Sequence, residues 1–140
     1  MFATPDEAEQ AFYEALEQAD LARLMQVWAD DEEIICVHPG GARLAGQSAV
    51  QESWQEILDA GPLSVRPLHT LVIQSMMSSV HTVVEQVTAR TRSGIQVANC
   101  YATNVYHKGP SGWRLVLHHA SPAPADAGLL DLHDVPDLLH

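Results

Sequence analysis

The chain has 140 residues, 46% of them hydrophobic, which is enough for one core and too few for two. Its net charge of -11, with seven Lys and Arg and no basic run, excludes a nucleic-acid surface, because cations supply the affinity for phosphate backbones. No stretch approaches the roughly 18 consecutive apolar residues of a membrane span.

The opening MFATPDEAEQ lacks the basic and apolar regions of a secretory signal. Cys36 and Cys100 lie in apolar runs without metal-ligand spacing, so they read as reduced thiols of a cytoplasmic protein. TPDEAEQAFYEALEQAD predicts a first helix, with Thr4 as cap, Pro5 in the first turn and Glu7 completing a capping box. Ala8, Ala11, Phe12, Ala15, Leu16 and Ala19 give it one apolar stripe. Asp20 caps a shorter second helix, LARLMQVWA, with Leu21, Leu24, Met25 and Trp28 inward.

EEIICVHPGG is a short β-rich run stopped by Pro39-Gly40-Gly41. A third helix follows in SAVQESWQEILDAG, where Ser48 and Gln51 read as a capping box and Val50, Trp54, Ile57 and Leu58 form the stripe. From Leu63 four β-rich runs come in succession, joined by hairpin material such as Ser93-Gly94 and KGPSG. The expected fold is α+β, three helices on one face of a curved antiparallel sheet. The expected division is a domain over 1–122 and an acidic Leu- and Pro-containing tail over 123–140, either disordered or a docking arm.

FYEALEQADLARLMQVWADDEEIICVHPGGARLAGQSAVQESW and NVYHKGPSGWRLVLHHASP together resemble the opening unit and closing hairpin of the nuclear transport factor two-like superfamily. This is the cone-shaped fold of ketosteroid isomerase, the cyclase SnoaL and scytalone dehydratase, and the closing hairpin is also similar to the calcium/calmodulin-dependent kinase association domain. The resemblance implies helices on the concave face of the sheet, an internal pocket and a homodimer. It puts His38 where the isomerases carry a general-base Asp, Phe12 where they carry a Tyr donor, and Thr103 where they carry a protonated Asp. All three identities differ, so steroid isomerisation by that mechanism is not expected. Scytalone dehydratase carries a catalytic His, which makes a pocket histidine a candidate here.

Taking Thr103 as inward puts Asn99 and Tyr101 on the same face, with Trp113, Leu115, Leu117 and His119 facing them and His118 outward. Adjacent strand residues point to opposite faces, so His118 and His119 cannot share a pocket. The candidate proton-transfer residues are His38 and His119, whose unperturbed pKa of about 6.5 suits work near neutrality. Each also has a plainer reading, as a histidine tied to a neighbouring backbone group. Candidate ligand-binding residues are Phe12, Trp28, Trp54, Asn99, Tyr101, Thr103 and Leu117, although Trp28 reads better as core packing.

No Gly-rich phosphate loop, Ser-His-Asp order or metal-ligand spacing occurs, so neither a metal nor another cofactor is expected. The expected partner is a small apolar or aromatic molecule, with no nucleic acid and no membrane. Two functions remain open. One is an isomerase, dehydratase or cyclase acting on an apolar carbonyl compound. The other is a non-catalytic ligand-binding or association module.

Overall fold

The computed structural model describes residues 1–129. Helix α1, Pro5–Glu17, begins where Thr4 Oγ1 accepts a hydrogen bond from Glu7 N, while the Glu7 carboxylate accepts from Ala3 N. Asp20 caps α2, Leu21–Val27, by accepting from Arg23 N. Helix α3, Gln47–Asp59, departs from the expected capping box. Gly46 is its cap, at φ 92°, and a Cβ there would come 3.0 Å from the Glu32 carboxylate.

Six strands form one sheet: β1 Ile35–Val37, β2 Arg43–Ala45, β3 Ser64–Gln74, β4 Ser78–Thr91, β5 Gly94–Gly109 and β6 Gly112–Pro122. Their order is β2-β1-β6-β5-β4-β3. The run from β3 to β6 is the antiparallel meander expected from its hairpin connectors. The sheet is not wholly antiparallel, however. Strand β1 pairs parallel to β6, with Cys36 opposite His118 and Val37 opposite His119. This pairing brings the end of β1, and therefore His38, beside the end of β6.

The helices cover the inner face of the sheet and close the core there. Phe12, Leu16, Leu24, Val50, Trp54 and Leu58 from the helices, with Trp28 just past α2, meet Cys36, Tyr106, Trp113 and Leu115 from the strands. None of the helices among the described residues is long and apolar enough to cross a membrane.

Which side chains face this core corrects the sequence expectation. The inner residues of β5 are Cys100, Ala102, Asn104 and Tyr106, all buried. Asn99, Tyr101 and Thr103 therefore face outward, one residue out of the register taken from the family. Trp113 and Leu115 face inward as expected, but the β5–β6 register then shifts between Val105 and Tyr106. Val116 is the extra residue, and such a bulge exchanges the faces of the strand beyond it. His118 and Ala120 consequently point inward, while Leu117 and the exposed His119 point outward.

Of the 123–140 tail, the described part crosses the outer face of the sheet. Ala123 N donates to Asn99 O, Asn99 Nδ2 donates to Ala125 O, and Ala127 is buried in a short turn, Ala127–Leu129. His69, at φ 52° in a register shift of β3, places Nε2 3.2 Å from Gly128 O. The polar partners of Asn99 thus include the tail. The rest of the tail lies outside the described residues.

Candidate functional site

Between α1, α3 and the inner face lies a half-open cavity of about 270 Å³. Leu16, Ile57, Leu63, Val65, Val87 and Ala98 make most of its wall apolar, and Trp54, Cys100 and Ala120 add to it. Two imidazoles and a carboxyl interrupt that wall: His38 beside Pro39, His118 and Glu85. A larger open groove, about 570 Å³, runs between α1 and β3 past Glu9 and Tyr13. The smaller cavity brings a displaced carboxyl, Glu85, together with two displaced imidazoles, His38 and His118, and it is the candidate site.

Trp54 organises the two histidines. Its ring meets His38 edge-on at 4.7 Å between centroids and lies 5.8 Å from His118. Phe12 packs behind, 5.7 Å from Trp54 and 5.2 Å from His118. Ser53 Oγ donates to Val50 O at 2.8 Å, so it is the acceptor in its 3.1 Å contact with His38 Nε2. That assigns the His38 proton to Nε2 and leaves Nδ1 with the lone pair. Burial lowers the pKa of His38 below the ordinary imidazole value.

Glu85 is only 5% exposed, and its carboxyl accepts a 2.7 Å hydrogen bond from Tyr13 Oη. Burial pushes its pKa up to about 7; Glu9 adds to the rise and the Tyr13 hydrogen bond opposes it. Tyr13 is itself held as a phenol, well above its ordinary pKa, by burial first and by Glu85 next.

A hydrogen-bonded network backs this carboxyl. Glu9 Oε2 accepts from Tyr106 Oη at 2.8 Å and from Asn104 Nδ2 at 3.3 Å, and lies 2.9 Å from His81 Nδ1. Asn104 Nδ2 also donates to Tyr13 Oη, and Asn104 Oδ1 lies 2.6 Å from His118 Nδ1. Every member is buried, where an unpaired polar group would be costly. Ser79 Oγ, His81 and Glu9 stand in the order of a hydrolase triad, with Ser79 Oγ 3.0 Å from His81 Nε2. Ser79 is fully buried, so that trio serves the network.

The site expected from the sequence is thus partly assembled and partly replaced. His38 and Trp54 line the cavity, and Phe12 supports it. Trp28 is fully buried elsewhere, bridged to Leu115. His119, Asn99, Tyr101, Thr103 and Leu117 are on the opposite face. His118 takes the inner place expected for His119. Sequence reasoning missed Glu85 altogether, although VVEQV carries its signal: Val83, Glu85 and Val87 share one strand face by alternation. Among the described residues, no group of three His, Cys, Asp or Glu converges to hold a metal ion.

The SnoaL-like domain model matches residues 6–126, and the chain belongs to that family. A Thiobacillus denitrificans protein proposed to be a calcium/calmodulin-dependent protein kinase type II association domain is 39% identical, at a TM-score of 0.77 over 88% of this chain and 98% of that one. A proposed dehydratase of the NTF2-like family from Streptomyces avermitilis is 28% identical, at a TM-score of 0.75 over 87% of this chain and 100% of that one. A cystatin-like protein from Caulobacter vibrioides, 15% identical, shares the fold at a TM-score of 0.74, over 96% of this chain and 95% of that one. No curated protein matches the sequence.

Proposed function

We propose that this protein is a small-ligand pocket enzyme that eliminates water from, or shifts a proton within, an apolar carbonyl compound. One observation carries the reading: a carboxyl and an imidazole share one cavity, with pKa values displaced in opposite directions. Such a pair divides acid and base duties. Glu85, protonated near neutrality, donates to the leaving hydroxyl or the receiving carbon. His38, neutral with a free Nδ1, takes the proton next to the carbonyl. In an elimination a C–H and a C–O bond break, a C=C bond forms, and water leaves. A proton returning from His38 to Glu85 restores the enzyme.

The likeness to a proposed dehydratase supports this class. The role moves from the histidine pair expected at His38 and His119 to His38 with Glu85. The cavity has no Lys or Arg in its wall, which favours an uncharged ligand. A panel of β-hydroxy ketones and enones, followed by loss or gain of enone absorbance, tests the reading. Turnover should fall at least about a hundredfold in Glu85→Gln and in His38→Ala, the usual worth of general acid-base catalysis. Turnover that survives both substitutions would remove the mechanism.

A second reading has its own support. The outer face of the sheet exposes Leu71, Ile73, Ile95, Val97 and Tyr101. A patch of this kind is normally covered. With the likeness to a proposed association domain, it favours a homodimer joined through that face.

A further inference from the structure

The geometry points to a hydrogen-bond donor as the feature this cavity selects: an uncharged ligand bearing a hydroxyl, received by Nε2 of His118. This rests on reading the cavity as a ligand site and names the ligand class more closely.

Asn104 fixes the orientation of the His118 ring. Its Nδ2 faces the Glu9 carboxylate and the oxygen of Tyr13. The Tyr13 O–H already donates its hydrogen bond to Glu85, so both neighbours of Nδ2 act as acceptors. The amide cannot be turned over without setting its oxygen against theirs. Asn104 Oδ1 therefore faces His118, and the 2.6 Å contact requires a proton on His118 Nδ1.

A neutral imidazole has one proton, so Nε2 keeps the lone pair. His118 is 3% exposed, and burial holds it neutral by lowering its pKa to about 3. No hydrogen bond to Nε2 is found among the described residues, and the ring lines the cavity. Because the ring borders the cavity, a ligand hydroxyl can take the place of water as the donor to Nε2. Asn104 is thus a positioning residue: it fixes which nitrogen of His118 the ligand meets.

The ligand's size follows from the cavity, whose 270 Å³ lies at or below the lower end of the roughly 300–1,000 Å³ of ligand pockets. One or two rings fit. A hydroxylated ring compound meets His118 with its O–H and the apolar wall with its body. Methylating that oxygen removes the donor while keeping the ring.

Phenol and anisole are the probes, titrated against the full chain with histidine ring ¹⁵N shifts as readout. In the free protein, His118 should show a protonated Nδ1 and a bare Nε2. Phenol should bind about tenfold more tightly than anisole, the worth of one buried hydrogen bond, and move the Nε2 resonance. In His118→Phe the two should bind within about twofold of each other. Equal affinities in the wild type, or a proton on Nε2, would overturn the assignment, and these readouts decide even where His118→Phe does not fold. Failure of turnover alone leaves the selection standing, because binding is measured without it. Failure of both probes to bind overturns the selection and the ligand-site reading together.

Discussion

The two faces of the sheet invert the usual distribution of polarity. The inner face, sealed by helices, carries Glu85, His81, Asn104, Tyr106 and His118, with Glu9 and Tyr13 reaching down from α1. The outer face leaves Ile73 73% and Ile95 65% exposed. Burying polar groups costs free energy unless each finds a partner, and a plain core would need none of them. The inner face is therefore arranged around fixed hydrogen bonds. The outer one offers apolar area that a second copy of the chain would bury. Substitutions on the two faces should accordingly change different observables.

The largest effect is expected at the centre of the network. Glu9→Ala leaves His81, Tyr106 and Asn104 without a shared acceptor. The loss should be on the order of 3–5 kcal/mol, as for other broken buried networks. Urea unfolding measures it, and Glu9→Gln, which keeps an acceptor oxygen, should lose less than half as much. Equal losses in the two variants would mean that Glu9 fills space and does not organise its neighbours.

Next comes the pH dependence of Glu85. The folded state keeps this carboxyl's proton until about pH 7, whereas the unfolded chain releases it near 4.5. Between those values the folded state binds more protons, so Glu85 makes stability fall as pH rises. A displacement from 4.5 to about 7 amounts to about 3 kcal/mol across the window. His118 acts in the opposite sense. Its pKa drops from 6.5 to about 3, so stability rises with pH between those values and masks the Glu85 slope in the wild type. The difference between Glu85→Gln and the wild type isolates Glu85. The variant's relative stability should climb from pH 4.5 to pH 7 and then level off; parallel curves would show that Glu85 is not held protonated.

The order of elements was legible because local signals agree with the packing: the Thr4 and Asp20 caps, the apolar stripes of the helices and the hairpin connectors. The site was less legible, because a pocket depends on strand parity, and parity is lost at any bulge. Val116 sits in the middle of the apolar run LVL, within WRLVLHH, with nothing in its own chemistry to mark it. One inserted residue there moved His118 into the cavity and His119 out. The off-by-one reading of Thr103 displaced Asn99 and Tyr101 in the same way. His38 escaped this error because Pro39 ends its strand directly, so its place follows from a stop signal and not from a count. Glu85 was passed over for a different reason. A charge within a valine-rich strand is ordinarily solvent-facing, and its partner Tyr13 is 72 residues away.

On the outer face the expected effect on stability is the smallest, and its absence is what distinguishes the two faces. Ile95 and Val97 lie on β5, exposed, alternating with the inner residues Ala98 and Cys100. Replacing both with Lys adds charge to the patch without touching the network or the cavity wall. Exposed substitutions of this kind usually stay within about 0.5 kcal/mol each, so the protomer should unfold at nearly the wild-type urea concentration when measured under dissociating dilution. Sedimentation should instead report the change, with wild type as a dimer and Ile95→Lys/Val97→Lys as a monomer, because charges brought together in a dimer interface must be desolvated. Phenol binding should survive in that monomer, since no cavity residue comes from the outer face. Loss of binding together with the dimer would show that the two faces are coupled. A monomeric wild type would leave the exposed patch to some partner other than a second copy of the chain.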